Sequence, residues 1–308
     1  MKKYSNLIIV ILSFITLVLV LLNKTLISKT IITSFGIWFN TLVPSMFPMF
    51  ILSDILINYN FTEYIPKSII NFISKLFNIS NNSTFIVLLS IISGFPTNAI
   101  NIRNAYDKNM ISKAEAEHLL LFNHFANPLF ILETIGSFYL KSNKYGLIIL
   151  ISHILSNIII GILFRNKSHY SLNNYISKNN KSQSIGNILS TSIKKTINSL
   201  LMISGTVTLF LILSTLIINV FNLNSYISVL VQGILEMTMS IANLSSLNIN
   251  ELIKVVVSTI IVSFGGLSIH LQVISVLDDK IKYKNYFIGR IYQMIISGIL
   301  SFSIMNII

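Results

Sequence analysis

The chain has 308 residues, of which 53% are hydrophobic and 10% charged, with a mean hydropathy of +0.75. A soluble domain carries about 25% charged residues, so this composition excludes one and reads as an all-α integral membrane protein. The formal net charge of +12 lies on Lys and Arg between apolar runs, where it sets membrane orientation. No basic patch interleaved with aromatics points to nucleic acid.

Lys2 and Lys3 precede an apolar run, residues 5–22, and Asn23-Lys24-Thr25 fits a signal-peptide cleavage site poorly. Residues 1–30 are therefore expected to be a retained N-terminal helix and loop. The next span is 31–57, with Pro44 and Pro48 inside it. Residues 59–83 alternate polar and apolar character and read as an interfacial helix or a loop. Further spans follow at 119–140, 145–164, 197–220, 255–277 and 286–308. The last carries Arg290 near its start, where the side chain is expected to snorkel to the interface. A linker over 166–196, rich in Ser, Asn and Lys, joins two halves, 31–165 and 197–308.

Two segments are ambiguous: 85–102, with Gly94 and Pro96 at its middle, and 227–244, with Glu236 at its middle. Each is either one kinked span or a re-entrant hairpin. Cation counting separates the readings. With two hairpins, sixteen Lys and Arg fall on one side and five on the other; with two spans, the split is nine to twelve. Only the hairpin reading obeys the positive-inside rule, and it places the 166–196 linker in the cytoplasm. Each half then runs span, hairpin, span, span, and three crossings separate their starts. The expected fold is an inverted repeat with an added N-terminal helix.

Four interruptions sit at matching places in the halves: Ser93-Gly94-Phe95-Pro96-Thr97-Asn98, then Asn123 to Pro128; later Glu236 to Ser240, then Ser263 to His270. Broken apolar segments at corresponding positions point to a transporter's substrate site, because irregular backbone must be buried or line a cavity. The candidate substrate-binding residues are Ser93, Gly94, Pro96, Thr97, Asn98, Asn123, Asn127, Pro128, Thr238, Ser240, Gly265, Gly266, Ser268 and Gln272. Thr97 and Asn98 follow Pro96 at a half-helix start, where amides and the dipole favour an anion. Asn123 and Asn127 are one turn apart on a helix and so share a face. Glu236, an acid at mid-membrane, is costly unless used. With His124 and His270 it is a candidate for ion or proton coupling, while holding a hairpin tip through backbone amides is its structural alternative. No Lys or Arg falls within a central break, and Arg103 is placed near the cytoplasm.

No phosphate loop, metal-ligand cluster or nucleophile with a base is present, so neither an enzyme nor a cofactor is expected, and the absence of Cys excludes thiolate sites. Ser112-Lys113-Ala114-Glu115 reads as a capping box.

On Ser93-Gly94-Phe95-Pro96, Glu115-Ala116-Glu117, Asn127-Pro128-Leu129-Phe130, Leu235-Glu236 and Phe264-Gly265-Gly266-Leu267-Ser268 with His270 and Gln272, the chain resembles a known family. It is the sporulation integral membrane proteins of endospore-forming bacteria, of the YlbJ/SpoVV type, within the wider nucleoside-recognition or Gate superfamily. The resemblance spans roughly residues 30–305 and departs at Thr97-Asn98-Ala99, where the family has a small residue and Gly. It implies a transporter of dipicolinic acid from the mother cell across the outer forespore membrane, with two hairpins and two broken helices meeting at mid-membrane. The partners so expected are the small planar dicarboxylate and the lipid bilayer; a homo-oligomer stays open. The alternatives are a nucleoside, ion or other small-solute carrier of the same fold, and a non-transporting sporulation scaffold.

Overall fold

The computed structural model describes residues 2–59, 61–165 and 184–307, and all regular structure among them is helical. The chain is an all-α integral membrane protein: five of these helices are long and apolar enough to cross a bilayer, or six if one sharply bent pair counts as a span. The expected linker lies outside the described residues over 166–183.

Helix α1 (Lys2–Leu22) is apolar on every described face and exposed along its length, as a helix standing in lipid must be. Helices α2 (Lys24–Ile37) and α3 (Val43–Asn58) form one run through a π-helical turn, π1 (Trp38–Leu42). The turn has a local cause. Pro44 has no N–H for the Asn40 carbonyl and its ring crowds it, so the helix widens just before. Residues 59–83 are not one element: α4 (Lys67–Phe77) ends in a left-handed Asn78, and α5 (Asn81–Ser93) leaves it at 97°. Ser80 caps α5 by accepting from the Ser83 amide at 3.2 Å.

Helix α5 folds back into α6 (Thr97–Asp107). Then α7 (Lys113–Phe122) is separated by a five-residue break, 123–127, from a second half ending in the π-helical π2 (Phe130–Tyr139). Ser112 caps α7, but Glu115 turns instead to the Ser80 amide (2.8 Å) and the Ser83 hydroxyl (2.6 Å). The expected reciprocal box gives way to a clamp on the start of α5. Helix α8 (Asn143–Leu163) completes the series.

The same order returns afterwards. Helix α9 (Ile185–Val220) is a single 36-residue helix, about 54 Å long. It starts twelve residues before the expected span, and Lys195 near its start pairs with Asp54 at 2.9 Å. Next come α10 (Ser225–Leu235) and α11 (Met237–Ser246), which fold back on each other: Ser240 donates to the Val229 carbonyl and Asn243 to the Gln232 amide oxygen. Then α12 (Glu251–Phe264), broken at Gly265 from α13 (Gly266–Leu277), leads to α14 (Lys284–Ile307).

The packing partners also come in matched sets. Helix α7 packs on α14 as α12 packs on α8; α6 meets α13 as α11 meets π2; α8 meets α14, and α3 meets α9. Lipid is as apolar as leucine, so close packing rather than exclusion from water holds such helices together. Small polar residues supply it here: Ser152, Ser156, Ser258, Ser297 and Ser301 are fully buried where α8, α12 and α14 meet.

Two clusters fix which loops share an end. Arg103 and Asp107, at the end of α6, pair with Asp278 (3.6 Å) and Lys280 (3.3 Å), just past α13. Tyr139, Lys141, Ser142 and Tyr145 line a second, open cavity of about 340 Å³ with Ser245, Glu251 and Lys254.

Candidate functional site

The four interruptions converge. At the first hairpin tip, Gly94 (φ +74°) and the cis Phe95–Pro96 bond turn the chain. A Cβ on Gly94 would overlap the Asn127 backbone, so glycine is required for this tip to rest on the first helix break. The second pair has the same contact with its parts exchanged. There Gly266 (φ +70°) belongs to the break, and a Cβ on it would stand 3.2 Å from both the Leu235 carbonyl and the Met237 amide of the tip. The two breaks face one another: the bare backbone of Gly265 lies against His124, whose Nε2 is 3.5 Å from where its Cβ would be.

A small cavity, with room for about one water molecule, lies where these pieces meet. Pro96, Glu236, Thr238, Ser268 and Gln272, all expected site residues, line it with Phe95. Leu42, Met46, Ile203 and Val207 close it from α3, π1 and α9. The hydroxyl of Ser268 is buried without a partner, an arrangement that costs free energy unless a ligand or water supplies one; that of Thr238 lies beside the Glu236 carboxylate.

The other expected residues surround the cavity and hold its walls. Asn98 donates to the Phe125 carbonyl at 3.1 Å, and Asn123 donates to the Ser90 hydroxyl at 2.9 Å, stitching tip to break. Asn123 and Asn127 do not share a helical face, because 123–127 is not helical. Instead the Asn127 side-chain oxygen Oδ1 caps the second half-helix, accepting from the amides of Leu129 (2.9 Å) and Phe130 (3.2 Å). Pro128, half-buried, opens that half-helix, as Thr97 opens α6. Ser93 and Ser240 satisfy carbonyls at 3.0 and 2.7 Å. His270 takes up the Phe264 carbonyl at 3.0 Å and bonds the Tyr283 hydroxyl.

Glu236 is 1% exposed and spans the second tip. Its two carboxylate oxygens accept from the amides of Thr238 (3.0 Å) and Met239 (2.8 Å). The acid thus caps α11, where backbone donors and the dipole stabilise a negative charge.

Sequence reasoning missed the side chains that complete the first break. The Ala126 amide donates to His153 Nε2 (2.9 Å), and the His124 carbonyl accepts from Asn157 (2.8 Å) and Gln293 (3.4 Å). Arg290 donates to the Leu121 carbonyl at 3.2 Å. It does not snorkel: it is fully buried, with Tyr286 beside it. No cation lies within a break, but Arg290, rather than Arg103, stands beside one. The signal was present as spacing. His153, Ser156 and Asn157 fall on one face of an apolar span, as Arg290 and Gln293 do on another, and such faces turn inward.

The chain is similar to the sporulation integral membrane protein YlbJ of Bacillus subtilis (strain 168). The two are 23% identical over an alignment covering 87% of this chain and 74% of the relative. No family model matches the chain, and no solved structure matches it.

Proposed function

We propose that this chain is a sporulation membrane transporter carrying a small planar dicarboxylate, dipicolinate, from the mother cell across the outer forespore membrane. The observation that carries the proposal is the cavity at the junction of four interruptions. Among the four half-helices starting there, α6 and α13 have no side-chain cap, and residues of their first turns or just before, Pro96, Ser268 and Ile269, line the cavity. Uncapped helix starts with the unpartnered Ser268 hydroxyl beside one of them suit carboxylate oxygens. A scaffold needs none of this. The sporulation assignment draws on the similarity to YlbJ, and the substrate on the family resemblance.

In this proposal the molecule is an inverted repeat of span, re-entrant hairpin, broken helix and span, with α1 added. The end-sharing clusters support it. If 85–102 and 227–244 crossed the membrane, the loops after α6 and α13 would lie on opposite sides, yet Arg103 and Asp107 pair with Asp278 and Lys280. Likewise Asn219 donates to Asn23 at 3.0 Å, two residues that full crossings would part. Single cysteines at 110 and 280 should react with an impermeant reagent from the side of the 166–196 linker, and those at 142 and 249 from the other. Opposite labelling of 110 and 280 would sink the hairpins.

Uptake into proteoliposomes tests the function. Dipicolinate should be preferred over a nucleoside and over a pyridine monocarboxylate. A preference for the nucleoside overturns the dicarboxylate, and no uptake of any solute favours the scaffold.

A further inference from the structure

Arg290 is a buried cation without a counter-charge. Among the described residues its guanidinium pairs with no carboxylate. It donates to the Gln293 side-chain oxygen and the Leu121 carbonyl, lies 5.2 Å from the centre of the Tyr286 ring, and its Nε–H has no acceptor. The nearby basic groups do not offset it. His153 receives the Ala126 amide on Nε2, so that nitrogen carries no proton; His124 Nδ1 pairs with the Tyr286 hydroxyl at 3.0 Å. When that hydroxyl donates, the His124 proton sits on Nε2, which is buried and unpartnered. One fixed charge and two donors without acceptors thus stand together, close to both helix breaks.

A lone guanidinium in a low-dielectric interior is strongly unfavourable, whereas one joined to an anion is tolerated. We infer that Arg290 and His124 form the binding centre for a carboxylate or a small inorganic anion, lying behind the Phe95 ring that separates it from the cavity. That ring stacks on His124 with centroids 4.7 Å apart, and it also lines the cavity. Displacing that one side chain would open the cavity toward His124. The inference rests on the transport reading for the anion's route, but not for its binding.

The test is calorimetric titration of the purified protein with pyridine-2,6-dicarboxylate, its neutral dicarboxamide and chloride at constant ionic strength. The dicarboxylate should bind and the dicarboxamide should not. R290Q should weaken binding by about 10- to 100-fold, the range for a charge-assisted pair, and R290K should restore most of it. Chloride that binds wild type, competes with the dicarboxylate and is lost in R290Q identifies an inorganic anion as the occupant. Wild-type affinity in R290Q, or equal binding of the neutral dicarboxamide, overturns the inference. Should R290Q fail to accumulate, H124Q decides: its affinity should fall about tenfold, and unchanged affinity overturns the site. Uptake is scored separately. Anion binding without uptake removes the transporter and leaves the site; uptake without Arg290-dependent anion binding removes the site and leaves the transporter.

Discussion

The two tip-and-break pairs solve one packing problem with their parts exchanged. In the first, the tip carries the glycine and starts its half-helix uncapped, while Asn127 of the break caps the next half. In the second, the break carries the glycine and starts uncapped, while Glu236 of the tip supplies the cap. Each pair therefore holds one bare backbone surface and one side-chain-capped partner. What is constant is the contact between two interrupted backbones; which segment supplies the glycine is free. The pairs differ in length too. The first break spans five residues and draws on His153, Asn157, Gln293 and Arg290 for its amides and carbonyls, whereas the second turns within Gly265.

Adding one methyl on each side challenges this comparison most directly. Gly94→Ala should be the worse of the two, destabilising by about 3 kcal/mol through overlap with the Asn127 backbone and a left-handed φ. Gly266→Ala, whose nearest neighbours stand at 3.2 Å, should cost about half as much. Melting temperatures in detergent rank the two, and the reverse order would break the comparison.

Next in size is the acid cap. Glu236→Gln keeps the shape but offers one acceptor where two amides need partners. Membrane insertion should survive, and dipicolinate uptake should fall at least about tenfold, a loss near 1.4 kcal/mol. Wild-type uptake at every pH would make Glu236 a replaceable cap.

Smaller still are the neutral donors, and here lining and stitching residues should separate. Ser268→Ala and Thr238→Ala should each raise the KM for uptake severalfold, as about 1 kcal/mol per hydrogen bond requires. Asn98→Ala, whose amide bonds the Phe125 carbonyl, should lower the melting temperature and leave KM near wild type. A KM effect at Asn98 equal to that at Ser268 would merge the two classes.

The interruptions were legible because Gly, Pro and a mid-membrane acid each weaken an apolar helix, most where they cluster with polar neighbours; standing apart, Pro48 in α3 and Gly205 in α9 leave theirs unbroken. Gly94, Pro96, Pro128, Gly265 and Glu236 mark the breaks on that ground alone. Direction was not legible. Asn123, Asn127 and Asn98 looked like ligand donors, yet Asn98 donates to the Phe125 carbonyl and Asn123 to the Ser90 hydroxyl, and Asn127 serves through its side-chain oxygen as a helix cap while its NH2 stays unpartnered. Arg290 lies about 9 Å along α14 from Lys284, a depth that suits a snorkelling side chain as well as an inward one. Only the polar face it shares with Gln293, set against the open carbonyls of a break far away in sequence, decides between them.

The ends of the molecule are unequal in a way that bears on the conditions around it. At one end Arg103 reaches the Val276 and Leu277 carbonyls and Asp107, with Asp278 and Lys280 joining; at the other, the cavity by Lys141 and Lys254 stands open. The Arg103 hydrogen bond holds the Asp107 carboxyl below its ordinary 3.8. That contribution is complete at neutral pH and fades only in strong acid, as pH falls through the lowered value. Mild acidification on that side therefore leaves this fastening shut. Ionic strength acts differently: the Lys280–Asp107 pair is exposed and is screened within about 8 Å at 0.15 M salt. The protein thus carries a fastening on one face that responds to electrolyte and not to protons, so salt raised on that side of a vesicle would loosen it where acid would not.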